Sequence, residues 1–455
     1  MSRRGRAAVP LLLLLLMCYF VPCSTSKEQE RDQAAQSSRL LRESLRAEAE
    51  GRLNDAIALA AKMPQDVFAV FRQGKLMMKK GDFRAAHAAF SAVEQVEPSF
   101  PSLLSHIAFL YFKVQEMKAS IAYCLKALQV SPLDLRANSI LKRILRAPGP
   151  FPLEVQEVQR QSQNAILQSH LRGGFVHQHE RMQSKVTDIS YNGKQVRLVS
   201  SANSLYFQCL ANLVGSIQLR EPNLNITIYD MGFDELESMV VSDWKNVQLV
   251  RFPFESYPPH VRNLRNYAWK PLVYREALMR DSMILYQDAG QELWQPVGLI
   301  EDIIARDGYF FVMQGEKTLP EKIHPASMQF LGFEANDLRG KDMCAGGIQG
   351  YMNTSRAVQE VLGSTIKCAL DEDCIAPKKA DQSNHRFDQA IFSMFMSRHL
   401  YRCHCSWIFR AYLETARLKE ADVFDVRDGF GHFYPLLFSR RCGSNQSYFP
   451  IFRHM

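Results

Sequence analysis

A carboxylate that follows a short apolar run is the clearest sign of chemistry in this sequence. Met283 to Gln287 form the run, and Asp288, Ala289 and Gly290 come directly after it. An apolar run of this length that ends in turn residues predicts a buried strand. Ligands of α/β sheets collect at the carboxyl ends of strands, so we expect Asp288 to face a binding site.

Strand and helix patterns alternate on both sides of Asp288, which predicts a mostly parallel sheet covered by helices on both faces. The predicted helices are 205–219, 234–241, 272–279 and 386–397. The predicted strands are 196–200, 226–230, 247–250, 283–287, 309–313 and 347–351.

Length and composition limit the class of protein. The chain has 455 residues, which indicates two or three domains. Its 47% hydrophobic and 22% charged residues are typical of a globular protein. The net charge of +8 is scattered, without a long Lys/Arg run, so we expect no nucleic-acid partner.

The first residues predict entry into the secretory pathway. Arg3, Arg4 and Arg6 precede an apolar run over 7–23, and polar residues follow it. This pattern predicts a signal peptide or a short signal anchor over residues 1–26. The rest of the chain would then lie in the lumen of the Golgi or endoplasmic reticulum, either membrane-anchored or secreted.

Two other features agree with an oxidising lumen. Asn225, Asn353 and Asn445 begin N-glycosylation triplets, although Asn225 adjoins a predicted strand. Cysteines concentrate in the last quarter of the chain and predict disulfides rather than free thiols. A zinc site at Cys403-His404-Cys405 is the rival interpretation, but it lacks the usual two-residue gap. The clustered cysteines are Cys344, Cys368, Cys374, Cys403, Cys405 and Cys442.

Residues 27–148 predict an all-α domain with an internal repeat. Small and aromatic residues recur 34 residues apart, as do Pro98 and Pro132. This spacing resembles a tetratricopeptide repeat, and a plain helical domain is the alternative. Such repeats need neighbours to bury their apolar faces, so the domain is expected to bind a protein partner or another copy of itself. The pattern of residues 149–190 predicts a linker and a connector helix.

Residues 191–455 resemble the GT-A nucleotide-sugar glycosyltransferases, particularly the glycogenin-like family eight. The resemblance is carried by five motifs in the family's order. The chain is thus expected to combine an α/β GT-A-like transferase domain with the N-terminal all-α tetratricopeptide-like domain. The motifs are Leu198 to Tyr206, Ile226 to Asp230, Trp269-Lys270-Pro271 before Asp288, Cys344 to Ile348, and Phe387 to Ala390.

The resemblance implies a site for a nucleotide diphosphate sugar. Tyr206 would stack on the base, and Asp230 would accept a hydrogen bond from the base or ribose. Ser201 and Asn203 would contact the ribose or diphosphate. Gly346 and Gly347 occupy the family's Asn-Ala-Gly segment, although Cys344 stands where the family has asparagine.

The resemblance also implies catalytic roles. Lys270 would contact the phosphates, and Asp388 would act as a base or orient the acceptor hydroxyl. Asp288 would bind Mn²⁺ or Mg²⁺. The family has a second aspartate where this chain has Gly290, and His432 is the candidate replacement ligand. The family retains the configuration of the transferred sugar.

These features predict a glycosyltransferase of the secretory pathway that moves a sugar to a glycan, protein or lipid hydroxyl. Gly290 keeps open a second hypothesis, a luminal scaffold with a degenerate transferase domain. Each site residue also has a structural alternative. Tyr206 would pack between helix and sheet, Asp230 would cap the helix after Gly232, Lys270 would begin a solvated helix, and Asp388 would pair on the surface with Arg386 or His385.

Overall fold

The computed structural model describes residues 24–64, 66–146, 151–176, 196–293, 296–313, 319–341, 343–404, 421–427, 433–440 and 450–452. The chain divides into two compact units, Met1–Pro98 and Ser99–Met455. The predicted leader, His432, Asn445, Cys405 and Cys442 lie outside the described residues. No helix among the described residues is both long and apolar enough to cross a bilayer.

The first unit is helical where it is described. Asp66 begins α3 by accepting hydrogen bonds from the amides of Phe68 and Ala69, and Gly81 ends it with a left-handed φ of 85°. A side chain at Gly74 would come within 2.5 Å of the Phe90 ring, so glycine permits α3 and α4 to pack closely. The helices are α1 (Ser24–Ala49), α2 (Leu53–Ala61), α3 (Val67–Lys80) and α4 (Phe83–Val96).

The second unit begins with another helix pair. The hydroxyl of Ser120 donates to the Ala108 carbonyl across this pair at 2.8 Å. Gly74 and Ala108, which are 34 residues apart, thus both lie where two consecutive helices contact each other. The tetratricopeptide identity stays a prediction. The helices are α5 (Leu103–Lys113), α6 (Met117–Val130), α7 (Leu135–Leu145) and α8 (Leu153–Val176).

A six-stranded mixed sheet forms the centre of the second unit, in the order β3-β2-β1-β4-β7-β6. The first four strands of this order are mutually parallel, whereas β7 runs antiparallel to β4 and β6. This confirms the predicted mixed α/β architecture. The strands are β1 (Arg197–Ala202), β2 (Ile226–Asp230), β3 (Val247–Arg251), β4 (Met283–Gln287), β6 (Tyr309–Met313) and β7 (Cys344–Met352).

Helices bury the sheet. Tyr274 of α11 and Phe392 of α17 are buried in one core cluster with Ile284 and Tyr286 of β4. The apolar side chains that predicted the strands therefore form the core. The helices are α9 (Phe207–Arg220), α10 (Glu235–Ser242), α11 (Trp269–Leu278), α12 (Gly298–Asp307), α13 (Pro325–Phe330), α14 (Ala335–Leu338), α15 (Gly363–Ala369), α16 (Glu372–Ile375) and α17 (Phe387–Arg398).

A second sheet has three strands in the order β5-β9-β8, all antiparallel. Its strand β5 follows Asp288 closely in the chain. The carboxyl end of β4 is thus followed by a short turn that connects the two sheets. The strands are β5 (Gln291–Leu293), β8 (Ala421–Arg427) and β9 (Phe433–Arg440).

Candidate functional site

The predicted site residues meet at one edge of the large sheet. Ala202 pairs with Asp230 where the parallel strands β1 and β2 end. Strand β4 ends beside them, and the amide of Asp288 donates to the Gly347 carbonyl at 2.9 Å. Strand β1 has β2 on one side and β4 on the other, so the chain order reverses there. Such a switch point is where α/β sheets bind ligands.

Lys270 and Asp288 form a salt bridge at this edge. The Lys270 Nζ lies 2.9 Å from Asp288 Oδ1, with only 5% of the lysine side chain exposed against 41% for the aspartate. Burial acts to lower the pKa of Lys270, but the carboxylates of Asp288 and Asp388 outweigh it and raise the pKa. The ammonium is therefore charged at physiological pH, and the predicted solvated helix start is wrong.

Tyrosine hydroxyls complete this polar cluster. Tyr286 donates to Asp288 Oδ1 at 3.0 Å and lies 2.9 Å from the hydroxyl of Ser201. Lys270 and Tyr274 both donate to the Gly346 carbonyl at 3.3 Å. Because Tyr286 and Tyr274 are buried, their pKa values are raised well above the usual range. Both phenols are therefore neutral hydrogen-bond donors that orient the charged groups.

Two glycines of β7 let these carboxylates approach the strand. An added side chain at Gly347 would meet Asp288 Oδ2 at 2.9 Å. One at Gly346 would meet Asp388 Oδ2 at 3.4 Å and the Gln389 Cβ at 3.1 Å. The Cys-Ala-Gly-Gly segment is consequently a backbone surface against which Asp288 and Asp388 both lie.

Asp388 is buried beside this cluster instead of pairing on the surface. Its side chain is only 6% exposed. Burial raises its pKa to about 7, opposed by Lys270 and reinforced by Asp288. Phe387, just before it, has a left-handed φ of 45°, an uncommon conformation for an aromatic residue. Near neutral pH the carboxyl group can therefore accept or donate a proton.

Aromatic rings surround the Lys270 ammonium. Its Nζ lies 5.4 Å from the ring centre of Tyr267, 5.6 Å from Trp269 and 5.7 Å from Tyr286. Cation–π attraction at such distances stabilises a desolvated cation. Tyr267 has a left-handed φ of 55° and also contacts the Phe387 ring. Rings and carboxylates together hold the lysine in place.

The turn after β1 exposes an aromatic ring at the same edge. We call residues 203–206 the β1 turn. Asn203 accepts from the Leu205 amide and so begins the turn. Tyr206 is 49% exposed rather than packed between helix and sheet. Ser201 is buried and bonded to Tyr286. The turn therefore presents Tyr206 to solvent, where a planar ligand can stack on it.

Asp230 has a structural role in the fold. Its Oδ1 accepts from the amides of Gly232 at 2.8 Å and Phe233 at 2.7 Å. Its Oδ2 accepts from the hydroxyl of Ser238 at 3.3 Å. The carboxylate thus binds the turn before α10, whereas Asp234 caps the helix itself, so the predicted helix cap at Asp230 is wrong. A ligand contact would have to share the Asp230 carboxylate.

A divalent cation requires more ligands than the described residues supply. No group of three or more His, Cys, Asp and Glu residues among them could hold a metal ion. Asp288 is already bonded to Lys270 and Tyr286. Asp288 is therefore the only predicted metal ligand among the described residues, and His432, the other predicted ligand, lies outside them.

Disulfides fix the segments that carry the site. Cys344 is bonded to Cys403, and Cys368 to Cys374. The first bond confirms the predicted disulfides and leaves Cys403 unable to bind zinc as a thiolate. It also explains the cysteine in the Cys-Ala-Gly-Gly segment, since Cys344 begins β7. Cys209 is disulfide-bonded as well.

Several site residues were not predicted from the sequence, namely Tyr267, Tyr274, Tyr286 and Gln389. One pattern could have found Tyr286, because residues two apart on a strand share a face and Tyr286 precedes Asp288 by two. Gln389 donates to the Cys344 carbonyl at 2.8 Å, a contact between distant segments. No local pattern in the sequence identifies such a contact.

Comparison with known proteins gives one family and several solved structures. Residues 155–275 match a family described as a protein of unknown function, DUF1647. No functionally curated protein matches the chain. The matched region covers only part of the sequence, from α8 to α11, so it includes Lys270 but not Asp288 or Asp388.

Three similar solved structures are glycosyltransferases of low sequence identity. The galactosyltransferase LgtC with donor and acceptor sugar analogs is 12% identical, with 44% of this chain and 70% of that one covered and a TM-score of 0.31. The bifunctional glycosyltransferase WbbM is 14% identical, with 58% and 50% covered and a TM-score of 0.31. An O-GlcNAc transferase of Thermobaculum terrenum is 15% identical, with 53% and 44% covered and a TM-score of 0.28.

Proposed function

We propose that this chain is a glycosyltransferase of the secretory pathway. It would move a sugar from a nucleotide diphosphate donor to a hydroxyl of a glycan, protein or lipid. The observation that supports this most is the buried ammonium of Lys270, paired with Asp288 at the switch point of the sheet. A fixed positive charge in a dry site stabilises a departing diphosphate, which gains negative charge as the glycosidic bond breaks.

Lys270 has hydrogen-bonding capacity for a phosphate. An ammonium group carries three N–H bonds. Among the described residues, Nζ lies 2.9 Å and 3.3 Å from the two Asp288 oxygens and 3.3 Å from the Gly346 carbonyl, so a phosphate would share or replace one of these acceptors. Asp288 is 41% exposed, so the opening beside it gives a diphosphate access to the lysine. Lys270 would then hold the leaving group while Tyr206 stacks on its base.

Asp388 would contact the hydroxyl of the acceptor substrate. Its pKa of about 7 lets it take a proton from the acceptor hydroxyl or orient that hydroxyl by a hydrogen bond. Gly346 brings it against β7, next to the carbonyl that binds Lys270. Donor and acceptor groups would therefore meet along one short strand segment. Retention of configuration rests only on the family resemblance.

The proposed enzyme would use a divalent cation, with Asp288 and His432 as its protein ligands. When bound, Mn²⁺ or Mg²⁺ would neutralise part of the diphosphate charge. The luminal location rests on the predicted leader, together with disulfides among the described cysteines. The N-terminal repeats would bind the acceptor protein, a partner or a second copy of the chain.

Nucleotide binding tests the proposal. The melting temperature of the chain is measured with UDP, GDP, CDP, ADP and TDP, each with and without Mn²⁺. We expect one diphosphate to raise the melting temperature. In Asp288→Asn, the part of this rise that depends on Mn²⁺ should be lost. Asp281→Asn is a matched control, because Asp281 lies before the other end of β4 and pairs with Arg197. No shift with any diphosphate would favour the scaffold hypothesis, which Gly290 keeps open.

A further inference from the structure

Helix α10 and its caps are joined to α5 and α7 by three ion pairs and one histidine hydrogen bond among the described residues. All three helices belong to the second compact unit. An acidic side chain of α10 or its caps meets a basic side chain of α5 or α7 at each contact. The pairs are Asp234 with His106 at 3.2 Å, Glu235 with Lys113 at 2.5 Å, Glu237 with Arg136 at 2.7 Å, and Asp243 with Arg143 at 3.0 Å.

Glu237 differs from the other acids because it also binds the β1 turn. One carboxylate oxygen accepts from Arg136 Nη2, and the other accepts from the hydroxyl of Ser204. The second oxygen also accepts from the Asp234 amide at 3.2 Å. Only 3% of the Glu237 side chain is exposed, so its charge depends on these partners.

Arg136 contacts the β1 turn by a second route. Its guanidinium carbon lies 4.2 Å from the ring centre of Phe207, the first residue of α9. Arg136 thus touches Phe207 directly and Ser204 through Glu237. Tyr206 and Leu205, the exposed residues of the turn, lie between these two attachment points.

We infer that Arg136 is a positioning residue for nucleotide binding, which acts through Glu237 on the β1 turn. The inference rests on the proposed function and adds the helical region to the donor site. Without Arg136, Glu237 keeps a buried charge with no cation beside it. The β1 turn then loses its contacts at Ser204 and Phe207. These contacts fix the position in which the Tyr206 ring would stack on a nucleotide base.

The test uses the full chain and the diphosphate that binds the wild type most tightly among UDP, GDP, CDP, ADP and TDP. Its dissociation constant is measured by calorimetry for Arg136→Met, Ser204→Ala and the double variant. Arg143→Met is the matched control, because Arg143 joins the same helix α7 to Asp243 without touching the turn. Hydrogen exchange of peptides covering residues 203–210 is measured without nucleotide.

We expect Arg136→Met and Ser204→Ala each to raise the dissociation constant about fivefold to tenfold. Because both substitutions act on the same contact, the dissociation constant of the double variant should not exceed that of the weaker-binding single variant. Exchange over 203–210 should rise in Arg136→Met and stay unchanged in Arg143→Met. Arg136→Lys, which keeps the charge, should recover part of the affinity. Two results would overturn the inference while the proposed function stands. One is wild-type nucleotide affinity in a folded Arg136→Met, and the other is a loss of affinity in Arg143→Met equal to that in Arg136→Met. Failure of the wild type to bind any diphosphate would overturn both.

Discussion

The Lys270 ammonium lies 2.9 Å from the Asp288 carboxylate, although the two residues are 18 positions apart in the chain. Lys270 is the second residue of helix α11, and β4 ends just before the aspartate. The helix returns along the sheet to the start of β4, so its first turn and the end of β4 lie at the same edge. This packing places a buried cation beside a half-exposed carboxylate.

Replacing the lysine tests its role in donor chemistry. In Lys270→Met we expect transferase activity to fall by at least about 100-fold, because one fixed charge at the leaving group has that order of effect. Asp288 stays solvated through its exposed side, so the chain should still fold. Circular dichroism checks folding, and the exposed Lys341→Met is the control. Activity within about threefold of wild type would mean that Lys270 does not act on the leaving group.

Gly347→Ala tests the close approach of Asp288 to β7. The new methyl group would lie 2.9 Å from Asp288 Oδ2 and 3.1 Å from Gln291 Nε2. The exposed aspartate can move aside, so we expect only a few degrees of loss in melting temperature. Activity should fall by about tenfold or more, since small displacements of a catalytic group are costly.

Gly346→Ala gives the comparison for that variant. Its methyl group would meet Gln389 and Asp388 instead of Asp288. We expect it to alter the pH dependence of the reaction more than Gly347→Ala does, because its methyl group contacts Asp388 itself. Identical pH profiles of both variants would contradict the separate placement of the two carboxylates.

Asp388 should make the stability of the protein depend on pH. The folded carboxyl keeps its proton up to about pH 7, whereas the unfolded one loses it near about pH 4. The folded state thus binds more protons between these values, and its stability falls as the pH rises through that window. Asp388→Asn removes the ionisation, so it should stabilise the chain at pH 8, by at most about 4 kcal/mol for a rise of about three pKa units.

Urea unfolding at pH 5 and pH 8 checks this prediction. The advantage of Asp388→Asn over wild type should be larger at pH 8 than at pH 5. The other groups that interact electrostatically with this carboxyl group are left unchanged in both proteins. They are Lys270, Asp288, Tyr274 and Tyr351. The exposed Asp302→Asn is the control and should show no such pH dependence. An equal difference at both pH values would show that Asp388 is not protonated in the folded chain.

The two disulfides should differ in their contribution to stability. They close loops of very different length, with sequence separations of 59 and 6. By loop entropy, losing the Cys344–Cys403 bond should cost about 4 kcal/mol and losing Cys368–Cys374 about 2 kcal/mol. The paired serine variants are compared by urea unfolding, after peptide mapping of the wild type under non-reducing conditions. The reverse order of stability would indicate that native packing, rather than loop closure, dominates.

Much of the sheet follows from local patterns. The predicted bounds of β2, 226–230, and of β4, 283–287, agree with the structure, because apolar runs bounded by turn residues mark buried strands. Helix α17 begins at Phe387, one residue after the predicted start at 386. The position of Asp288 at a strand end followed from the same reasoning.

Other predictions depended on burial, which local patterns do not determine. Lys270 and Asp388 each had a surface alternative, and both side chains prove to be buried. Tyr206 had a packed alternative and is half exposed. Asp230 had a helix cap as its alternative, but it binds the turn before α10 and Asp234 caps the helix. Long-range packing decided each outcome.

The sequence by itself determined the order and bounds of most strands and the carboxylate at the end of β4, because hydrophobic periodicity is a local property. Only the tertiary structure decided that Lys270 pairs with Asp288, that Cys344 bonds Cys403, and that Arg136 reaches the β1 turn through Glu237. These contacts join segments far apart in the chain, and their geometry depends on how whole elements pack. The chemistry of the site therefore follows from the packing of α7, α11 and α17 around residues that the sequence had placed at the strand ends.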